Sequence, residues 1–182
     1  MESKKNEFLQ FSWRVTSMHM VSYLLAGILA LVFINYKEFF KSESLSLLMR
    51  SVDSPIVAAG PSLQIILGFI MSIILFPFRS IFLSRKRGWL YLLLLIAGFS
   101  IFAPEIPGPS TFEGLIYTTI PLKDHLLGLP ETVIYSLLFS ILLTFWHSKP
   151  KKIWNILSII AVCLIFVMSI LGVLASVGII KQ

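Results

Sequence analysis

The chain has 182 residues, 57% hydrophobic and 13% charged, with a mean hydropathy of +0.89 and a formal net charge of +6. No water-soluble core of this size hides so large an apolar excess, so lipid is the solvent for most of the chain. Nucleic acid is excluded as a partner, because the basic residues flank apolar runs instead of lining a folded surface with exposed aromatics between them.

A helix needs roughly 20 apolar residues to cross about 30 Å of hydrocarbon, and the chain offers about five such runs. The first spans about Val15 to Tyr36. Lys4 and Lys5 precede it in the manner of a signal peptide, but the run is too long for one and no small-x-small site closes it, so it reads as an uncleaved signal anchor. The loop from Lys37 to Gly60 mixes Phe39, Phe40, Leu45, Leu47, Leu48 and Met49 with charges, which suits a helix lying in the outer interface. The second span covers about Pro61 to Phe78, with Pro61 placed for a first helical turn.

The third span, about Gly88 to Phe102, is stopped by Pro104, Pro107 and Pro109 and is nominally short for a crossing. From Ala103 to Leu129 run four prolines, three glycines and an apolar island, Leu115 to Leu122, too short to cross; an ordered or re-entrant outer loop is expected. Within it Ser110 and Glu113 form an S-x-x-E capping pattern, predicting a short helix over Phe112 to Thr119 with His125 facing back toward it. The fourth span is expected over about Pro130 to Trp146, with Glu131 in its first turn, and the fifth over about Ile153 to Ile180. The whole is one transmembrane domain over residues 1–182: an all-α polytopic bundle.

Lysine and arginine resist translocation, so their distribution orients the chain. With the N-terminus inside, ten of the fifteen basic residues are cytoplasmic: Lys4, Lys5, Arg14, Arg79, Arg85, Lys86, Arg87, Lys149, Lys151 and Lys152. Of the nine acids only Glu2 and Glu7 join them, so the faces carry about +8 inside and −2 outside, the C-terminus lying outside. Trp13, Trp89, Trp146 and Trp154 fall near the same inner boundary, where amphipathic rings belong. A bias this sharp suits a bacterial inner membrane, with anionic headgroups as partners of the basic flanks.

Chemistry, if any, is expected on the outer face. Glu105, Glu113, Tyr117, Asp124, His125 and Glu131 are the candidate site residues, able to supply acid, base or metal ligands around one imidazole. Each acid but Glu105 also has a structural use: Glu113 in the capping box, Glu131 at a helix N-terminus, Asp124 as a turn cap. H-E-x-x-H, G-x-S-x-G, C-x-x-C and P-loop patterns are absent, and the lone Cys163 permits no intrachain disulfide, so neither a metal nor a cofactor is expected. His19 and His147 lie at similar depth, which makes bis-imidazole haem ligation conceivable, but nothing else points to redox work. Gly172 with Ser176, and Ala26, Gly27 and Ala30, are small-residue stripes for close helix approach within the chain or between protomers.

The resulting expectation is an accessory, immunity-type or scaffold component that presents a structured outer surface or ligand pocket. An enzyme of the outer leaflet, acting on a lipid or lipid-linked substrate with His125 as base, is the alternative. A subunit of an oligomeric channel or transporter is third, because no carboxylate falls near the midplane of any expected span, Glu131 lying at the end of the fourth.

Overall fold

The computed structural model describes residues 2–102 and 107–180. Among them every regular element is helical: α1 (Glu2–Ala30), α2 (Tyr36–Phe39), α3 (Pro55–Ala58), α4 (Gly60–Leu75), α5 (Arg79–Leu83), α6 (Gly88–Phe102), α7 (Phe112–Tyr117), α8 (Leu122–Ser148) and α9 (Lys152–Ser176). A 3-10 turn over Phe76–Phe78 joins α4 to α5, so Gly60–Leu83 runs 24 residues. That segment, α8 (27 residues) and α9 (25 residues) are long and apolar enough to cross a membrane. At 15 residues α6 is shorter.

The interior mixes apolar side chains with many small polar ones, while large apolar side chains cover the outside. Ser12, Thr16, Ser17, His19 and Ser22 of α1, Ser72 of α4, Ser136 and Ser140 of α8 and Ser158 and Ser169 of α9 are buried, while Ile28, Leu29, Ile66, Leu67, Ile141, Ile156 and Leu164 face outward. Apolar chains gain nothing by leaving lipid for protein, so the helices associate through small residues that approach closely and polar ones that bond across. Helix α1 is the hub, packed chiefly against α4 and α8. Ser12 and Ser72 share a hydrogen bond of 2.8 Å, and the Cβ that Gly68 lacks would lie 2.8 Å from the backbone of Thr16. An apolar cluster of Phe11, Val15, Leu75, Phe82, Leu92, Phe139 and Leu143 ties α1, α4, α5, α6 and α8 together.

These contacts run antiparallel from α1 to α4 and from α1 to α8, which gathers the N-terminus, the 79–88 turn and the 149–152 turn at one end of the molecule. That basic end carries Arg14, Arg79 and Lys149 in close contact with aromatic rings. The loops 31–59 and 107–121 form the opposite end.

Several boundaries differ from those expected. Helix α1 begins at Glu2 instead of Val15, because its polar start lacks proline and glycine and lays Phe8 and Phe11 on Phe76, at ring separations of 5.1 and 5.5 Å. Helix α8 begins at Leu122 and passes through Pro130, which forfeits the hydrogen bond to the Leu126 carbonyl and crowds that carbonyl with its ring; buried Asp124 and His125 anchor the added turns. Glu131 is therefore in the middle of a helix, not in its first turn, and Asp124 and Glu131 are both part of a long apolar helix. The 37–60 loop is not one interfacial helix but the short α2 and α3 joined by turns, with Leu45 buried and Leu47 and Leu48 exposed. Helix α7 matches the expected cap helix to within two residues at its end, but Thr111 caps it, accepting from the Gly114 N–H at 2.9 Å, in place of Ser110.

Candidate functional site

At the loop end a cavity of about 890 Å³ opens between the last turns of α1, the 31–40 segment, α3 and the middle of α8. Its walls are mainly apolar, with Leu24, Ile28, Leu31, Val32, Phe33, Ile34, Phe40, Val52, Val57 and Pro61 among them. Its polar groups are few: Tyr23, Asn35, Tyr36, Lys37 and Glu131. A large apolar hollow with a handful of convergent polar groups is the usual form of a small-molecule site.

Glu131 is the anionic centre of that cavity. The Tyr36 hydroxyl donates to its Oε2 at 2.5 Å, fixing the carboxylate with one strong bond and leaving acceptor capacity on the other oxygen. Gly27 faces it across open space, since a Cβ there would meet nothing nearer than Glu131 Oε1 at 3.9 Å. Asn35 caps α2 by accepting from the Glu38 N–H at 3.4 Å, which turns Tyr36 toward α8. Lys37, on the same cavity wall, pairs with Asp53 at 3.4 Å and makes no ion pair with Glu131. The carboxylate thus has a tyrosine but no lysine to balance it.

The other expected site residues lie elsewhere. Asp124 and His125, in the first turn of α8, are 4% and 3% exposed and form the floor of the 107–121 loop. Ser44 donates to Asp124 Oδ2 at 2.7 Å, pinning the first loop to α8. His125 Nδ1 accepts from the Ser110 N–H at 3.1 Å, and this bond holds Ser110 at φ +65°, a left-handed conformation costly for a residue with a Cβ. Gly114 closes over the ring, its missing Cβ 2.9 Å from His125 Cε1, and His125 Nε2 has no partner among the described residues. Glu113 is half-exposed at the start of α7, and Tyr117 is 71% exposed. Glu105 lies outside the described residues. Of the five described candidates, only Glu131 borders the cavity.

No family model, curated protein or solved structure matches this chain.

Two further polar constellations belong to the description. In the core, His19 Nδ1 meets the Tyr135 hydroxyl at 2.6 Å and its Nε2 meets Gln64 Oε1 at 3.0 Å, so both ring nitrogens are occupied. His147 is exposed at the basic end, on another level from His19. Also at that end, Arg79 Nε donates to Glu7 Oε1 at 2.7 Å, and this bond holds the Glu7 carboxyl below its ordinary range. Among the described residues no three His, Cys, Asp or Glu side chains are grouped to hold a metal ion, and Cys163 is exposed on α9.

Sequence reasoning did not single out Tyr36, Asn35 or the gap at Gly27 as parts of a site with Glu131. The only available signal was the small-residue stripe Ala26, Gly27, Ala30, which was read as packing. Alanines 26 and 30 are buried as that reading expects, whereas Gly27 faces the cavity.

Proposed function

We propose that this chain is a non-catalytic component of a membrane that presents an outer-face ligand pocket, and that the pocket takes an amphiphile whose polar head is a hydrogen-bond donor or cation. The single observation that carries the reading is Glu131: a carboxylate bonded by Tyr36 and, among the described residues, paired with no cation, set in the wall of an 890 Å³ mainly apolar cavity. A donor head such as a primary amine satisfies the free carboxylate oxygen, and an alkyl chain covers the apolar wall built by Ile28, Leu31 and Val32.

This reading places five spans in the membrane, with α1 and the short α6 added to the three long apolar helices, the basic end in the cytoplasm and the loop end outside. The charge bias of +8 against −2 supports it, as does the collection of the basic turns at one end of the bundle. A bacterial inner membrane, anionic headgroups along the basic flanks, and association with further copies or with other membrane subunits fit the same picture. An enzyme built on His125 is less well supported, because that imidazole is sealed beneath Gly114 and away from the cavity. A conduction path has weak support too, since the buried polar side chains of α1 and α4 bond one another.

The test uses the full chain in detergent, titrated with octadecylamine, octadecanol and stearate while its melting temperature is followed. Octadecylamine is expected to stabilise most and stearate least. Glu131→Gln should weaken the amine effect about tenfold, the scale of one charge-assisted hydrogen bond. Gly27→Leu should abolish it by filling the cavity without touching the core. Equal responses to the three probes, or an undiminished amine response in Gly27→Leu, would overturn the proposal.

A further inference from the structure

At the basic end, opposite the Glu131 pocket, a second cavity of about 460 Å³ is lined by polar groups of α1, α5 and α8, among them Glu7, Gln10, Arg14, Arg79, Ser84 and His147. Its two arginines are not equivalent. Arg79 is already paired: Nε on Glu7 at 2.7 Å, Nη1 on the Phe76 carbonyl at 3.0 Å, and the guanidinium 4.1 Å from the Phe76 ring centroid. Arg14 is half-buried and has neither a carboxylate within 4.0 Å nor a hydrogen-bond acceptor among the described residues. Its one close neighbour of note is the face of buried Trp146, 5.6 Å from the guanidinium carbon. A guanidinium withdrawn from water without an anion is costly, and its planar fork of donors is shaped for two oxygens on one centre.

Arg14 also borders a neighbouring crevice of about 600 Å³ between α1 and α9, where Leu9, Trp13 and Ile159 supply apolar walls and Gln10 and Asn155 the polar ones. One cation therefore stands between a polar cavity and an apolar-walled crevice. Glu7 cancels Arg79, so with His147 neutral the site carries a single positive charge, which matches a monoanion better than a dianion.

We infer that Arg14 is the centre of a binding site for a phosphodiester monoanion, with Gln10 and Ser84 as its neutral hydrogen-bonding partners. The phosphodiester belongs either to a phospholipid headgroup, whose chain then enters the Leu9–Trp13–Ile159 crevice, or to a soluble ester. This site is separate from the outer pocket and stands or falls without it. It also differs from the general attraction of basic flanks to an anionic surface, because that attraction uses every exposed lysine and arginine alike.

The experiment follows the melting temperature of the full chain in a maltoside detergent, which has no phosphate. The added probes are dioctanoyl phosphatidylglycerol and dimethyl phosphate. Phosphatidylglycerol is expected to stabilise the native chain, and Arg14→Gln should require at least tenfold more lipid for the same shift. Lys86→Gln and Lys151→Gln, on exposed turns outside the cavity, should respond as the native chain does. Ser84→Phe crowds the cavity from an exposed position and keeps Arg14, so it carries the test even if Arg14→Gln does not fold; it too should lose the response. An Arg14-dependent shift with dimethyl phosphate assigns the site to a soluble ester, and a shift with the lipid alone assigns it to the membrane; either supports the site. The inference is overturned if Arg14→Gln or Ser84→Phe responds normally, or if Lys86→Gln and Lys151→Gln lose as much as Arg14→Gln.

Discussion

His19 and His125 are both buried imidazoles, yet they are solved in opposite ways. A neutral ring must donate through one nitrogen and accept through the other. For His19 the Gln64 carbonyl oxygen is an acceptor, so Nε2 carries the hydrogen and Nδ1 accepts a hydrogen bond from the Tyr135 hydroxyl. Tyr135→Phe removes that donor and leaves Nδ1 buried and unmet, for an expected loss of about 1–2 kcal/mol in reversible unfolding from mixed micelles. Unchanged stability would mean that the ring does not depend on Tyr135. His125 has only its Nδ1 bond to the Ser110 backbone, a relation fifteen positions long that no local pattern announces. The S-x-x-E spacing was legible as a capping signal, and a helix does start there. Its cap fell one residue later because Ser110 is drawn into a left-handed turn by His125. The candidate list contained Glu131 but not its partner Tyr36, because ninety-five positions separate the two and only the fold closes that distance.

At the level of the helix, small residues decide how closely the hub packs. The missing Cβ of Gly68 faces the Thr16 backbone at 2.8 Å, with the His19 ring at 3.2 Å, whereas Gly98 on α6 has nothing within 4 Å. Gly68→Leu should therefore force α4 away from α1 and cost about 1–3 kcal/mol, and Gly98→Leu should be tolerated. Comparable destabilisation of the two in the same unfolding assay would contradict this packing. The apolar runs that become α4, α6 and α9 were readable from hydropathy and flanking charge, and α6 begins at Gly88 where expected. What composition could not reveal was the start of α8. Pro130 marks a helix boundary in isolation, but Ser44 and Ser110 hold Asp124 and His125 from outside the helix and stabilise two turns ahead of the proline. Tertiary anchoring overrode a local breaker signal.

Across the whole molecule, buried serines and exposed leucines describe a bundle turned toward lipid, and the basic turns at one end suggest how it sits. In a Cys163→Ser background, cysteines placed after Arg87 and after Lys152 should be shielded from an impermeant thiol reagent in intact cells. Cysteines at Asp53 and Thr119 should react. Reaction at Arg87 with protection at Thr119 would invert the orientation and move the Glu131 pocket to the cytoplasm. One element gives this arrangement an unequal outline. With 15 residues α6 rises about 22 Å, against about 30 Å of hydrocarbon. The three long apolar segments run 24 to 27 residues, and α1 runs 29. With α6 crossing, the molecule meets its bilayer as a wedge with one shallow flank, and lipid beside Leu94 and Phe99 must thin or tilt to cover it. Bilayer thickness then becomes a quantity to which the bundle responds, and thinner membranes, or neighbours with an equally short flank, are the surroundings it favours.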